Sequence, residues 1–331
     1  MPTSQSPVTT TRSGIFNYMD SGAESSLFRN GRVYTKRDLD GSDGGSFGVD
    51  TGAYTVAIQD ARVLSGAARK SCAINGFEML DAPLESVGVD FFDHQQVVST
   101  YYRECEALVA ASTGARAFAF DHNIRSAQGK ASKQRITGGQ QVQGPAKMVH
   151  GDYTLVSAPQ RLRDLSKPPN ANDTLRSVLP EGQALISADD VEKALSADQD
   201  GRFAIINVWR NIVDEPVQID PLAMCDAQSV EPEDLVTFEI HYHDRIGENY
   251  FAKRNDRHQL YFYPELRRDE PLLLKQWDSF GPLARSNGQA GDSTQPNDPA
   301  TFSFHSAFDD PAAPEDAPDR WSIEVRCIVL Y

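Results

Sequence analysis

The second half of the chain is a succession of strand-length apolar runs divided by turns, and this limits the fold more than any other feature. Residues 203–209, 235–242, 259–263, 272–277, 301–304 and 321–330 are each short and rich in β-branched and aromatic side chains. A series of this kind closes into a sandwich or a barrel. Four earlier runs, 54–58, 72–80, 117–125 and 147–154, also read as strands. Helical spacing is confined to the first two thirds. Over 93–112, Val97, Val98, Tyr101, Cys105, Leu108 and Val109 recur every three to four residues, and Thr113-Gly114 marks the stop. Shorter helices are expected over 157–165, with Pro159 in the first turn, and over 189–196, with Ser187 as the cap. The predicted class is mainly β with flanking helices.

The turn-rich stretch 22–52 reads as surface loop. Its Asp38-Leu-Asp-Gly-Ser-Asp-Gly-Gly45 run looks like the start of a calcium loop, but the positions that need Gly and Glu hold Asp43 and Val49. Residues 1–14 are rich in Ser, Thr and Pro, lack the apolar centre of a secretory signal, and are expected to form a disordered arm. Length alone leaves one domain as plausible as two, since β-sandwiches and barrels exceed about 200 residues as single units; residues 15–331 are read as one domain because the candidate ligands near positions 150 and 305, given below, must meet at one centre.

Charge removes several function classes. With 32 Lys and Arg against 47 Asp and Glu, the formal charge is −15 and no basic stripe exists. Nucleic acid and anionic membrane surfaces are therefore excluded as partners. No apolar run approaches the roughly 20 residues a membrane span needs. Cys72, Cys105, Cys225 and Cys327 lie far apart without a CxxC pair, so they read as buried thiols of a cytoplasmic protein.

Of seven histidines, at 94, 122, 150, 241, 243, 258 and 305, the informative one is in His150-Gly-Asp152. Residues two apart in a strand point to one face, so this imidazole and this carboxylate can converge on one ion. A distant second histidine would complete the two-His-one-carboxylate set of non-haem Fe(II) oxygenases, which leaves coordination positions open for O2 and a bidentate co-substrate. His305 follows the run 301–304 and is the third ligand in this reading. Fifteen residues later stand Arg320 and Ser322. In jelly-roll oxygenases that use 2-oxoglutarate, an Arg and a hydroxyl two positions on grip the far carboxylate of that co-substrate. Arg326 shares the strand face of Arg320 and is the reserve for the same task.

These residues sit in a wider pattern. The chain resembles the fungal hydroxylase/desaturase family that includes the gibberellin desaturase, through Tyr101-Tyr-Arg-Glu104, Asp121-His-Asn-Ile-Arg125, Val149-His-Gly-Asp-Tyr-Thr154, Ile206-Asn-Val-Trp-Arg210, Leu274-Lys-Gln-Trp-Asp-Ser279, His305-Ser-Ala-Phe308 and Arg320-Trp-Ser-Ile-Glu-Val-Arg326, among other blocks between 14 and 331. The resemblance implies a double-stranded β-helix (jelly-roll) core and Fe(II)/2-oxoglutarate chemistry with O2 in secondary metabolism. It implies His150, Asp152 and His305 on iron, and hydroxylation, desaturation or ring closure of a small molecule. Two positions depart from it: Trp321 stands where relatives carry Glu, and Asn211 where they tend to carry Pro.

The remaining assignments are divided between packing and binding. Asn207 is a candidate contact of the co-substrate. Trp209, Arg210 and Tyr153 are candidates for the substrate, with Arg210 for its carboxylate. His122 reads as a structural hydrogen-bonding residue, His241, His243 and His258 as solvated, and Lys275 with Asp278 as an anchoring pair. Two alternatives stay open: a cupin-like metal enzyme that does not use 2-oxoglutarate, and an inactive binding protein on the same fold.

Overall fold

The chain, described by a computed structural model over residues 10–37, 43–170, 173–196, 200–243, 245–294 and 297–331, is built on two β-sheets. Its strands are β1 (Thr11–Met19), β2 (Tyr34–Arg37), β3 (Asp43–Phe47), β4 (Thr51–Asp60), β5 (Phe77–Met79), β6 (Arg116–Arg125), β7 (His150–Gly151), β8 (Phe203–Asn211), β9 (Leu222–Cys225), β10 (Leu235–His241), β11 (Ile246–Ala252), β12 (Leu260–Phe262), β13 (Leu272–Asp278), β14 (His305–Ala307) and β15 (Ser322–Leu330). Ten strands pair in the order β1-β4-β12-β9-β14-β7-β11-β10-β2-β3, and five in the order β5-β13-β8-β15-β6. The expectation of a mainly β chain with flanking helices is met.

Register explains how the five-stranded sheet can be apolar outside and polar within. β8 is buried along its whole length because both of its faces are covered. On β15, Ser322, Glu324 and Arg326 lie opposite Asn211, Trp209 and Asn207 of β8 and opposite Arg125, Asn123 and Asp121 of β6. Alternation therefore gathers these nine side chains on one face. The other face carries Ile206, Val208, Ile323, Val325 and Cys327. It packs against the helix Tyr102–Thr113, whose Tyr102, Cys105 and Val109 are buried in the same apolar cluster. Gly114 ends that helix in the left-handed conformation at φ 69° and donates to the Ala110 carbonyl, as a glycine C-cap does. On the inner side, Phe77, Trp209, Leu272 and Leu274 meet Met224, Leu222 and Tyr261 of the ten-stranded sheet. The two sheets thus face each other, with an apolar half and a polar half between them.

Arg210 belongs to the outer face. Its Nε donates to the Tyr101 hydroxyl at 3.0 Å, Nη2 to Glu104 at 2.8 Å, and Nη1 to the Ala82 and Arg268 carbonyls at 3.0 and 2.7 Å. With no exposed surface and all three nitrogens engaged, it pins the helix to β8. This corrects its assignment to a substrate carboxylate: the alternation that turns Asn207 and Trp209 inward turns Arg210 out.

Several local expectations are revised. The helix Tyr102–Thr113 is entered through the helical turns His94–Gln96 and Val97–Tyr101, with Asp93 as the N-cap, so the predicted 93–112 stands. Ser187 caps Ala188–Leu195 as expected. The predicted strand 301–304 is instead buried irregular chain, and the strand begins at His305, because Thr301 is taken by Asp292 and Ser303 by the Cys225 carbonyl. The stretch 22–52 contains the β2–β3 pairing rather than loop alone, and residues 38–42 of the calcium-like run lie outside the described residues. Residues 11–14, assigned to the arm, open β1; residues 1–9 lie outside the described residues. Asn211 donates to the Glu215 carbonyl at 2.7 Å and accepts from Val213, closing the turn after β8. All four cysteines are free and buried.

Breaking the Arg210–Glu104 pair from one side leaves a buried charge without its partner, a loss of about 3–5 kcal/mol. Glu104→Ala should lower stability by that order in urea unfolding. A change under about 1 kcal/mol would show that the pair does not hold the helix to the sheet.

Candidate active site

The centre of the ten-stranded sheet brings two histidines together by strand pairing. β7 and β14 are antiparallel neighbours, and His150 is the direct partner of His305. Cross-strand partners project to one side with their Cβ atoms about 4.5–5.5 Å apart. The two rings lie 4.4 Å apart between centroids, tilted by 46°. Gly151 lets the strand run close beneath Phe302: a Cβ there would sit 3.0 Å from two ring carbons. The predicted strand 147–154 is reduced to His150–Gly151, because Asp152 leaves the ladder and its N–H donates to Gln276 Oε1 at 3.2 Å.

Asp152 then divides its two oxygens. Oδ1 faces His150 Nε2 at 3.5 Å and His305 Nε2 at 4.0 Å. Oδ2 accepts from Asn207 Nδ2 at 3.1 Å and lies 3.5 Å from Arg326 Nε. One ligand atom from each of His150, Asp152 and His305 falls within 4.8 Å of the others. His150 Nδ1 sits 2.7 Å from the Met148 carbonyl oxygen, and His305 Nδ1 sits 3.5 Å from that of Ser303. A carbonyl only accepts, so each contact places the proton on Nδ1 and leaves the Nε2 lone pair turned toward the shared point. Burial alone would raise the Asp152 carboxyl, but the Arg326 guanidinium and the two histidines hold it well below the usual range. Burial, reinforced by His150, pushes His305 down to about 3. An ionised carboxylate beside a neutral imidazole is a donor set for a divalent metal, and three protein ligands leave the remaining positions open.

Arg326 is spent within this network. Besides Asp152, its Nη1 meets Asp121 Oδ2 at 3.0 Å and its Nη2 meets Glu324 Oε1 at 3.1 Å. Its reserve role as a co-substrate clamp is thereby corrected: three carboxylates already hold it. Arg320 differs. One nitrogen bonds to the Asp220 carbonyl and the guanidinium lies over the Trp209 ring at 5.7 Å, but Nε is buried without a partner. Ser322 Oγ, two residues on, is buried and unpartnered as well. Burial pushes Arg320 down to about 10. Asn207 Oδ1 and Gln276 Nε2 are also buried and unpartnered beside Asp152. Unmade bonds of this kind cost about 1–3 kcal/mol each, and their concentration on one face marks a place shaped for a polar ligand.

The other expected residues fall as follows. Trp209 forms wall beneath Arg320 rather than a free contact. Tyr153 is part-buried on the main apolar cluster, its phenol pushed up to about 12 by burial. Trp321 packs edge-on to Phe92, away from the alternation of Arg320 and Ser322. His122, on the outer face, bonds to the Tyr102 hydroxyl at 2.8 Å, and Lys275 meets Asp278 at 3.0 Å, both as expected. His258 is corrected from solvated to buried, 3.2 Å from Asp234. Gln276 and Arg125 were not singled out in the sequence. Gln276 stands where the β13–β8 register shifts, and the shift re-aims it at Asp152. A cavity of about 630 Å³ includes Gln59, Glu231 and His258 in its lining and none of the cluster residues.

Fold and donor set together describe a β protein with a buried two-His-one-carboxylate centre. The family described as "Oxidoreductase/YMDC permease-like domain" matches residues 16–180 and 182–330. A protein of Methylophilus leisingeri, named from the dcmA 3′ region, is 44% identical over 197 residues, covering 59% of this chain and 88% of that protein. The hydroxylase/desaturase poxK of Penicillium oxalicum is 28% identical over 275 residues, covering 76% and 71%. The solved structure of the iron and alpha-ketoglutarate-dependent endoperoxidase NvfI superposes with a TM-score of 0.71 at 22% identity, over 97% of this chain and 98% of that one. The chain belongs to this oxidoreductase family. No helix among the described residues is long and apolar enough to cross a membrane.

Anaerobic titration with Fe(II) or Mn(II) tests the centre. Asp152→Ala should abolish tight binding, and Asn207→Ala, which removes one of the two donors on Asp152 Oδ2, should weaken it by about 10–100-fold. Full affinity in Asp152→Ala would move the site elsewhere.

Proposed function

We propose that this chain is an Fe(II)/2-oxoglutarate-dependent oxygenase that acts on a C–H bond of a small molecule. The observation that carries the reading is the convergence of His150, Asp152 and His305 on one point, with the second Asp152 oxygen tied back to Asn207 and Arg326. Residues 15–331 are read as one domain with a double-stranded β-helix core. This is supported by the two facing sheets and by ligands from positions 150 and 305 serving one centre.

The donor set fits iron, and the two unpartnered groups on β15 and just before it fit the far carboxylate of 2-oxoglutarate. His150, Asp152 and His305 would hold the metal, with Arg320 Nε and Ser322 Oγ donating to the co-substrate. Iron with 2-oxoglutarate and O2 supplies the oxidising power for C–H cleavage, the oxo acid leaving as succinate and CO2. The chain contributes position and dryness. Trp209 lies under the Arg320 guanidinium as an apolar wall; Asn207 and Arg326 keep Asp152 on one oxygen; the apolar half of the intersheet space keeps water from the reacting centre. The nitrogen protons of both histidines stay on Nδ1, held by backbone carbonyls. Hydroxylation, desaturation and ring closure share this apparatus.

Adding 2-oxoglutarate to the Fe(II) protein without O2 should produce a weak visible charge-transfer band, and O2 should then yield succinate. Absence of both would overturn the reading in favour of a protein that does not use 2-oxoglutarate. Arg320→Ala should raise the 2-oxoglutarate concentration needed by about 10–100-fold, the value of a charge-assisted hydrogen bond of about 1.5–3 kcal/mol.

A further inference from the structure

The face of the ten-stranded sheet that carries His150 and His305 continues past them. Phe251 of β11 is the direct cross-strand partner of His150, as His305 is on the other side, so the three side chains stand in one row and project the same way. Val236 of β10 extends that row, and two residues along β11 Asn249 is paired with Phe238 on the same face. Phe238 and Phe251 stack with ring centroids 4.2 Å apart and an interplanar angle of 15°. Together with Val236, Met148 and Ile240 they belong to an apolar cluster distinct from the one between the two sheets.

Three properties separate this shelf from ordinary core packing. On β11 the opposite face, Glu248, Tyr250 and Ala252, is buried, whereas Asn249 and Phe251 are half-buried, as are Met148 and Ile240. Apolar surface left part-open beside a candidate metal centre gains free energy when an apolar ligand covers it. The Asn249 carboxamide oxygen is shielded from solvent yet accepts no hydrogen bond, a deficit that a donor on a ligand removes. At the positions that pairing sets on this face of β10 and β11, namely Val236, Phe238, Ile240, Gly247, Asn249 and Phe251, none carries a charge.

We propose that this shelf holds the oxidisable substrate, and that the substrate is a neutral, largely apolar molecule with one hydroxyl or N–H group, which donates to Asn249 Oδ1. Phe251, beside His150, is a specificity-determining residue that sets how near the carbon skeleton comes to the metal ligands. A carboxylate on the shelf would be desolvated without a cation to meet it, so acidic substrates and amino acids are rejected. The assignment rests on the Fe(II)/2-oxoglutarate reading and adds the substrate class to it.

Three probes share one skeleton: 2-naphthol is neutral with a donor, 2-methoxynaphthalene is neutral without one, and 2-naphthoate is an anion. Binding is read by calorimetry on the metal-free protein and on the protein loaded with Fe(II) and 2-oxoglutarate without O2. In both, 2-naphthol should bind about tenfold more tightly than either other probe. Asn249→Ala should bring 2-naphthol down to the affinity of 2-methoxynaphthalene and leave the latter unchanged. Phe251→Ala should weaken both neutral probes by about tenfold or more. Phe251→Ser, which removes the same ring, serves where the Ala variant does not fold. The proposal is overturned if the neutral probes do not bind, if 2-naphthoate binds as well as 2-naphthol, if Asn249→Ala changes both neutral probes alike or neither, or if removal of the Phe251 ring leaves both unchanged. If the Fe(II) protein takes up no 2-oxoglutarate while the metal-free protein shows the full probe pattern, the oxygenase reading fails and the shelf stands as a binding site for neutral apolar ligands.

Discussion

The Asp152 carboxylate is the joint between the two sheets. One oxygen faces the histidine pair of the ten-stranded sheet, and the other is held by Asn207 and Arg326 of the five-stranded sheet. Placing that charge in the interior is tolerable only because donors surround it on both sides. The arrangement also accounts for the local departures from regular structure. Asp152 must leave the ladder after two strand residues to reach across, and β13 must slip its register so that Gln276 can receive the Asp152 N–H.

Much of this was legible in the sequence because it depends on short-range rules. The His-x-Asp spacing singled out two ligands, although Asp152 leaves the strand expected to carry both, and the amphipathic spacing of 93–112 gave the helix that covers the outer sheet. The longest strand runs, such as 203–209, were clear because burial on both faces leaves an unbroken apolar pattern. What escaped depends on pairing between distant strands. Arg125 and Asp121 acquire meaning only when β6 is laid against β15, and period-two alternation along either strand alone cannot say which face looks inward. Arg210 failed for the same reason: one residue beyond Trp209, it points to the opposite side and finds Glu104. Strand β9 and β11 were missed and 301–304 was over-read, since three or four apolar residues are held equally well by side-chain hydrogen bonds such as Thr301 to Asp292.

The arginines show how little total charge says about a site. A chain of charge −15 keeps two arginines of the intersheet space, Arg320 and Arg125, without a carboxylate within ion-pair distance among the described residues. Arg210 and Arg326 are saturated by carboxylates and carbonyls and fix positions, whereas Arg320 and Arg125 retain unused capacity. Exposure does not distinguish the two kinds; the inventory of donors left over does. Trp209 is the counterpart in apolar form, a large buried ring 5.7 Å from the Arg320 guanidinium carbon.

The strands that present the histidines are among the shortest in the molecule, two residues in β7 and three in β14, yet they occupy the middle of a ten-stranded sheet. Backbone pairing is thus thinnest where the sheet is most central. On the functional reading above, an ion held by both histidines fastens positions 150 and 305, and closing so long a stretch of chain is entropically expensive when no ligand helps. Metal occupancy then acts as a rivet in the sheet itself: the ion that serves the chemistry also decides, by mass action, how firmly the two halves of the ladder stay joined.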